Sequence, residues 1–247
     1  MSTGPRESVL EPARLLALIF DLDGVIIDTE PLHLRAKQLA FERHGVHVPP
    51  GFFDEFTGRS DRDVAEQAVR RHGDGSAAAE RNSAEHVSAE RSSAEHVLVE
   101  QVVAAKHAIF AELRGEIEPV PGALGFLRRA RQRFTKLALT TSATRDNQTF
   151  AFARFDLAPF FDVVVTAEDI QRTKPDPEPY RVTVERLGLA AAECLVIEDS
   201  LNGILSAKAA GCAVAGITTS FGASELARAA PEWIVGDFAE LASRLAL

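Results

Sequence analysis

Residues 15–24 of the chain read Leu-Leu-Ala-Leu-Ile-Phe-Asp-Leu-Asp-Gly, an apolar run that ends in two carboxylates and a glycine. A short apolar run bounded by glycine is typical of a buried strand in a parallel sheet. In open α/β sheets, catalytic and ligand-binding groups lie at the carboxyl ends of the strands. The alternate positions of Asp21 and Asp23 directly after this run therefore predict a catalytic site at the end of the first strand.

The bulk composition narrows the class of protein. The chain has 247 residues, 46% of them hydrophobic, and a formal net charge of −9, which fits one large globular domain or two smaller ones. It contains no Lys/Arg block long enough to follow a phosphate backbone, so we expect no nucleic-acid partner. No apolar run reaches the roughly 20 residues that span a bilayer, so we expect no membrane partner.

The cysteines and the N-terminal segment indicate the cellular compartment in which the protein is expected. Cys194 and Cys212 lie in apolar surroundings, as small core residues do, and two cysteines give no disulfide framework in a chain of this length. Residues 1–14 carry Glu7, Glu11 and two prolines, which makes them a poor signal peptide. These features predict a cytoplasmic protein, and we expect a monomer or a weak dimer.

Hydrophobic patterning divides the chain into two kinds of segment. Residues 31–115 show no convincing strand and are predicted to be an all-helical insertion, with helices near 30–44, 61–72 and 95–113. Beyond the insertion, helical stretches alternate with predicted strands at Lys136–Thr140, Phe161–Thr166, Cys194–Ile197, Ala213–Ile217 and Glu232–Val235. This alternation predicts an α/β fold whose parallel sheet is covered on both faces.

A ten-residue tandem repeat lies within the insertion. Residues 79–88 read AERNSAEHVS and residues 89–98 read AERSSAEHVL. We interpret the repeat as a duplicated surface helix or a disordered loop. A second interpretation makes His86 and His96 a paired metal site, but ten residues span ~2.8 helical turns and the two rings would not share one helix face well.

Four polar clusters follow the ends of predicted strands. They are Asp21 with Asp23, Thr141-Ser142, Lys174-Pro175 and Glu198-Asp199-Ser200. If the strands are neighbours in one parallel sheet, all four clusters converge on the same edge. Thr141 and Ser142 could also cap the helix that follows them, and capping is compatible with phosphate binding.

The chemistry of this set is specific. Crowded carboxylates repel one another, and a hard divalent cation relieves that repulsion. Mg²⁺ binds an octahedron of oxygens that usually includes one or two carboxylates and substrate phosphate. Asp21 and Asp199 could supply carboxylates and Asp23 a backbone carbonyl, while a lysine and a threonine hydroxyl suit the remaining phosphoryl oxygens. An aspartate can also attack phosphorus as a nucleophile, with a second aspartate as general acid and base.

These motifs carry a resemblance. Phe20-Asp21-Leu22-Asp23-Gly24-Val25, Thr141, Lys174-Pro175 and Glu198-Asp199-Ser200-x-x-Gly203 resemble, in order, the four signatures of the haloacid dehalogenase-like (HAD) phosphatase superfamily. The resemblance extends from about residue 15 to 245. It implies a Rossmann-like catalytic core, residues 15–30 and 116–247, with a mobile α-helical cap inserted at 31–115.

The resemblance also implies a role for each matching residue. Asp21 would be the nucleophile that forms an aspartyl-phosphate, and Asp23 the general acid and base. Thr141 and Lys174 would hold the transferring phosphoryl group, with Ser142 as a further substrate contact. The implied metal ligands are Asp21, Asp23, Asp199 and Glu198, of which Glu198 would bind the ion directly or support a residue that does.

The start of the cap resembles one branch of the superfamily. Residues 28–33, Asp-Thr-Glu-Pro-Leu-His, are similar to the hinge and first cap helix of sugar-phosphate phosphatases and β-phosphoglucomutase. This similarity makes His33 a candidate substrate contact, although a packing histidine fits equally well. Arg59 and Arg62 are candidates for holding a substrate phosphate, or are simply solvated. Thr57 and Asp61 stand where the mutase has a lysine and an arginine, which argues against mutase activity.

Three functions remain open at this point. The first is a Mg²⁺-dependent phosphatase that acts on a small phosphorylated metabolite, a sugar phosphate for preference. The second is a β-phosphoglucomutase-like isomerase, and the third a catalytically inactive protein that binds phosphorylated metabolites. Dehalogenation is a further activity of the superfamily, but Asp23 and Asp199 suit phosphate chemistry better.

Overall fold

The computed structural model describes residues 12–56, 59–73 and 85–247. The chain divides into two compact units. One consists of the described residues up to Asp28 together with Glu118–Leu247, and the other is Thr29–Ile117. We describe each unit separately.

The first unit contains the strands. They are β1 (Ala17–Phe20), β2 (Ile27–Asp28), β3 (Glu118–Pro119), β4 (Lys136–Thr140), β5 (Val163–Val165), β6 (Cys194–Glu198), β7 (Ala213–Ile217) and β8 (Trp233–Val235). Six of them form one sheet in the order β5-β4-β1-β6-β7-β8, and every neighbouring pair in it is parallel. The other two, β2 and β3, pair antiparallel. The predicted α/β fold with a parallel sheet is confirmed.

Nine α-helices lie in the described parts of the two units. They are α1 (Glu30–Arg43), α2 (Asp61–His72), α3 (Glu85–Leu113), α4 (Ala123–Arg133), α5 (Arg145–Phe155), α6 (Glu178–Leu187), α7 (Leu201–Ala209), α8 (Ala223–Leu226) and α9 (Phe238–Leu245). None of these helices is long and apolar enough to cross a membrane.

Helices cover both faces of the sheet, and β1 shows why. Its four residues are fully buried, and successive side chains of a strand point to opposite faces. Ile19 belongs to a core cluster with Tyr180 of α6 and Ile204 of α7. Phe20 packs instead on Phe126 of α4, with the ring centres 6.0 Å apart. The apolar run has no polar position because neither face meets solvent.

Strand register sets the level at which the central strands of the sheet end. Phe20, the last residue of β1, pairs with Leu139 of β4 on one side and with Ile197 of β6 on the other. The three strands therefore end at nearly the same level. The residues that follow them begin the loops at one edge of the sheet, which positions the polar clusters predicted from the sequence.

The described residues of the second unit contain helices joined by loops and no strand. Helix α2 has the bounds predicted from the sequence, because Ser60 caps it by accepting a hydrogen bond from the Asp63 amide. The described part of helix α3 begins at Glu85, ten residues before the predicted start. The prediction was wrong there because alanine and glutamate favour helix more than the serines of the repeat oppose it.

Residues 79–84 of the repeat lie outside the described residues, as does Thr57. The side chain of His86 is also not described, so the structure does not test the alternative interpretation of His86 and His96 as a metal site, which the sequence disfavours.

Candidate active site

Three of the four predicted clusters follow neighbouring strands. Asp21 comes directly after β1, Thr141 after β4, and Glu198 and Asp199 at the end of β6. The Asp21 amide donates to the Ile197 carbonyl across 3.1 Å, which extends the pairing of β1 with β6 by one residue. Strand pairing therefore fixes the backbone of the first aspartate beside that of the acidic pair.

Lys174 reaches this edge from the loop after β5. Its ammonium donates to Asp21 Oδ1 at 2.8 Å, to Glu198 Oε1 at 2.7 Å and to the Thr140 carbonyl at 3.3 Å. It also lies 5.1 Å from the centre of the Tyr180 ring. The side chain is only 8% exposed, so these contacts form in a poorly solvated site where charge interactions are strong.

Glu198 is the most heavily hydrogen-bonded of the carboxylates. Oε1 accepts from Lys174 and, at 2.8 Å, from the Tyr180 hydroxyl. Oε2 accepts from the amides of Asp199 and Ser200 and from the Ser200 hydroxyl. Gly203 makes room for this side chain, since a Cβ there would lie 1.8 Å from Oε1. Glu198 is thus held rigidly, and it helps to hold Lys174.

Asp199 is buried between the first motif, residues 20–25, and the loop after β7. Ser220 Oγ donates to Asp199 Oδ2. Gly24, with φ at +73°, lies against the same oxygen, and a Cβ there would lie 1.8 Å from it. Both the conformation and the space at position 24 therefore require glycine.

Burial and neighbouring charges control the ionisation of these groups. Burial raises the pKa of Asp21 to about 7, although Lys174 opposes the shift. Burial, with the charges of Glu198 and Asp21, raises the pKa of Asp199 well above its usual value. Burial acts the same way on Glu198, but Lys174 outweighs it and lowers the pKa of that carboxyl. The site thus has more carboxylate charge than one lysine neutralises.

The donor set fits a divalent cation. Asp21, Glu198 and Asp199 each offer a carboxylate oxygen, and these oxygens lie within 4.8 Å of one another. A hard divalent cation binds such oxygens and would favour the ionised form of Asp21 and Asp199. The acidic cluster is therefore a candidate metal site.

The remaining predicted core residues lie in the adjoining loops. Asp23 is half-buried and forms a β-bridge with Ile27. Thr141 is buried, and its hydroxyl accepts a hydrogen bond from the Ala143 amide at 2.9 Å. Ser142 beside it is exposed. Their roles in substrate binding and proton transfer remain predictions.

The predicted substrate contacts of the cap belong to the second unit. His33 stacks on Phe110 with ring centres 4.1 Å apart, and its buried Nδ1 has no hydrogen-bond partner. Arg59 is exposed. Arg62 forms an ion pair with Glu100. None of these contacts tests the substrate-binding predictions.

Two residues that contact the acidic cluster were not predicted. Tyr180, the only tyrosine of the chain, is fully buried on α6. No local pattern links it to Glu198. Ser220 follows the end of β7, so the rule that placed the other clusters could have identified it.

A parallel α/β sheet with a buried lysine and three carboxylates at its carboxyl edge defines an enzyme site. The family model described as haloacid dehalogenase-like hydrolase matches residues 18–217. The chain belongs to this family, and the predicted superfamily is confirmed.

Two curated relatives and one solved structure illustrate the similarity. The chain is 31% identical to validoxylamine A 7'-phosphate phosphatase of Streptomyces hygroscopicus subsp. limoneus, over 85% of this chain and 89% of that protein. It is 32% identical to phosphorylated carbohydrates phosphatase of Thermotoga maritima, over 79% and 81%. A crystal structure of a "putative beta-phosphoglucomutase" from Thermotoga maritima superposes with a TM-score of 0.69 at 28% identity, over 94% of this chain and 99% of that one.

Proposed function

We propose that the protein is a Mg²⁺-dependent phosphatase of phosphorylated carbohydrates that works through an aspartyl-phosphate on Asp21. Its class, a HAD-like phosphohydrolase, is confirmed by the family match and by the named phosphatases among its relatives. The observation that carries the mechanism is the Lys174 ammonium between Asp21 Oδ1 and Glu198 Oε1, at 2.8 and 2.7 Å.

Asp21 is the proposed nucleophile because a cation orients it. Lys174 engages Oδ1, which leaves Oδ2 to attack phosphorus in line with the departing ester oxygen. As the O–P bond to Asp21 forms and the bond to the ester oxygen breaks, Asp23 gives its proton to that oxygen. Asp23 then takes a proton from water, which attacks phosphorus and releases inorganic phosphate and the free Asp21 carboxylate.

Charge stabilisation comes from the residues around the phosphoryl group. Lys174 offsets the charge that spreads over the equatorial oxygens in the transition state, and Thr141 is the proposed further donor. Asp21 and Asp199 would hold the Mg²⁺ through carboxylates, with the Asp23 carbonyl as a third ligand and Glu198 beside them. When bound, the ion supplies positive charge to the phosphoryl oxygens and to the crowded carboxylates.

The proposed substrate class rests on the relatives. Their names describe phosphatases of a phosphorylated carbohydrate and of a validoxylamine phosphate. A small hydroxylated phosphate ester is therefore the proposed partner of this site.

Charge pairing within the cap favours the phosphatase over the mutase. A mutase must reorient a sugar bisphosphate inside its active site. This requires cations that hold the phosphate lying away from the reacting one. Arg62 is already paired with Glu100. Asp61, which stands where the mutase has an arginine, pairs with Lys106 at 2.6 Å. These cations already have carboxylate partners, so a second phosphate would have to displace them.

Phosphate release from a panel of sugar and polyol phosphates, with p-nitrophenyl phosphate as a general substrate, tests the proposal. We expect Mg²⁺-dependent release that EDTA abolishes. Asp21→Asn should remove it, whereas Asp237→Asn should not. Asp237 is an exposed N-cap of α9, and asparagine caps helices as well.

The other functions predict different results. No hydrolysis of any phosphate ester by the metal-loaded wild-type protein would contradict the proposal and favour the binding protein. Strict dependence on a sugar bisphosphate, with isomerised product and little free phosphate, would favour the mutase. Chloride release from a haloacid would favour the dehalogenase.

A further inference from the structure

The loop after β7 reaches the candidate active site through two hydroxyl groups. Thr219 Oγ1 donates to the Gly24 carbonyl across 2.5 Å. Ser220 Oγ donates to Asp199 Oδ2. The loop can do this because β7 pairs directly with β6, so the segments that follow the two strands start side by side. It therefore contacts both the first motif and the acidic pair.

The orientation of Asp199 depends on this loop more than that of Glu198 does. Glu198 accepts hydrogen bonds from Lys174, Tyr180, Asp199 and Ser200. Asp199, by contrast, receives its side-chain hydrogen bond in the described structure from Ser220. The terminal torsion of an aspartate is broad, so a carboxylate with few donors is free to rotate.

Ser220 and Gly24 lie against the same oxygen of the Asp199 carboxylate. Gly24 lies on the same side of the carboxylate, where a Cβ would lie 1.8 Å from Asp199 Oδ2 and 2.5 Å from Ser220 Oγ. With Oδ2 engaged there by the hydroxyl, Oδ1 is the oxygen left for another partner. One carboxylate oxygen bound by a hydroxyl and the other left open is the arrangement expected for a monodentate metal ligand.

We propose that Ser220 is a positioning residue for the divalent cation, acting through the Asp199 carboxylate. The inference rests on the metal site of the proposed function. Ser220 holds the plane of the carboxylate before the ion arrives, so that binding does not have to order it. Outer hydrogen-bond partners of metal ligands typically contribute 10–100-fold to metal affinity. Loss of the hydroxyl should therefore weaken metal binding rather than substrate binding.

Direct titration of metal-stripped protein with Mn²⁺, followed by electron paramagnetic resonance, measures this without catalysis. We expect Ser220→Ala to raise the dissociation constant about 10-fold or more relative to wild type. The matched control is Thr218→Val in the same loop. Thr218 Oγ1 donates to the Val235 carbonyl at 3.4 Å, away from the carboxylates. Its variant should bind Mn²⁺ within about twofold of wild type.

A second variant tests whether the effect of Ser220→Ala comes only from unfolding of the loop. Ser220→Cys nearly keeps the shape of the side chain but replaces the hydroxyl with a weak donor. It should weaken Mn²⁺ binding in the same direction, with an unchanged circular dichroism spectrum. In the hydrolysis assay, both variants should raise the Mg²⁺ activation constant and leave KM at saturating Mg²⁺ nearly unchanged.

The outcomes separate this inference from the proposed function. Wild-type protein that binds no Mn²⁺ would overturn the metal site itself. Wild-type binding that Ser220→Ala and Ser220→Cys both preserve would overturn the role of Ser220 alone. Equal weakening in Thr218→Val would show that the whole loop, and not this hydroxyl, supports the ion.

Discussion

The Lys174 ammonium donates to Asp21 Oδ1 across 2.8 Å and so joins two residues that are 153 positions apart in the chain. Two carboxylates and a backbone carbonyl hold the ammonium, and α6 closes the space around it with the Tyr180 ring. Asp21, the proposed nucleophile, and its counter-ion are thereby held together in the described structure. Such preorganisation is where most of the rate enhancement of an electrostatic site originates.

Removal of the ammonium should therefore impair the chemical step. Lys174→Met leaves Asp21 and Glu198 without their shared cation, and we expect kcat/KM for p-nitrophenyl phosphate to fall about 100-fold or more. Lys208→Met is the control, because Lys208 pairs with Glu232 away from the site, at 2.9 Å. Steady-state kinetics at saturating Mg²⁺ measure both. A Lys174→Met enzyme within tenfold of wild type would contradict the assigned role.

Substitution of Gly24 can distinguish the effect of backbone strain from the effect of a steric clash with Asp199. Gly24→Ala places a methyl group against Asp199 Oδ2, and its φ of +73° also strains alanine. Gly188 has a similar φ of +69°, but nothing lies within 4 Å of an added Cβ. We expect each variant to lose about 1 kcal/mol of stability from strain, while Gly24→Ala alone loses Mn²⁺ binding and most activity.

Urea unfolding and Mn²⁺ titration, run on both glycine variants, check this expectation. Equal effects on Mn²⁺ binding would mean that the strain, and not the contact with Asp199, controls the site.

Local signals in the sequence account for the ends of two correctly predicted helices. Ser60 caps α2, and Gly188 ends α6 in the left-handed conformation. Capping hydroxyls and left-handed glycines act within one turn, so they are readable without tertiary structure. The strands β2 and β3 escaped prediction because two residues carry no periodicity.

The site was only partly predictable for a related reason. Strand ends indicated Asp21, Lys174 and Asp199, since a parallel sheet puts such residues on one edge. The contacts of Tyr180 and Ser220 depend instead on which helix covers β4 and on β7 lying next to β6. Strand order is a property of the whole fold, so the sequence could place Ser220 near this edge but could not show its contact with Asp199, and it gave no signal for Tyr180.

His33 should give the second unit a distinct dependence of its stability on pH. Burial, with the nearby Lys106 ammonium, lowers the pKa of His33 to about 3. The unfolded chain takes up a proton near pH 6.5, whereas folded His33 stays neutral until about pH 3. The unfolded state therefore binds more protons in this window, and stability is lost as the pH falls through it.

His33→Phe should remove this part of the pH dependence while it keeps the stacking on Phe110. Between pH 7 and pH 5, we expect wild type to lose about 2 kcal/mol more of its unfolding free energy than His33→Phe does. Urea unfolding at several pH values measures it. The control is His47→Gln, at an exposed position of the same unit, which should keep the wild-type slope. Parallel curves for wild type and His33→Phe would refute the assignment.

The Asp61–Lys106 pair should be a strong determinant of the stability of the second unit. The atoms lie 2.6 Å apart, and the Lys106 side chain is only 7% exposed. Burial opposes ionisation of Asp61, yet Lys106 outweighs it and lowers the pKa of that carboxyl. Asp61→Asn leaves the buried ammonium without its closest counter-ion, which should cost about 2–3 kcal/mol. Lys106→Met should cost less, because Asp61 is more exposed and keeps Lys37 at 3.8 Å.

A double-mutant cycle of Asp61→Asn and Lys106→Met, measured by urea unfolding, isolates the coupling between the two side chains. We expect a coupling above about 1 kcal/mol, because the double variant no longer contains the stranded ammonium. The comparison is the Arg35–Glu116 pair of the same unit, which also has a short contact of 2.7 Å but side chains 51% and 56% exposed. Its coupling should stay below about 0.5 kcal/mol. Equal couplings would show that burial does not strengthen the Asp61–Lys106 pair. There would then be no reason to expect that Lys106 stays with Asp61 instead of binding a second phosphate of the substrate.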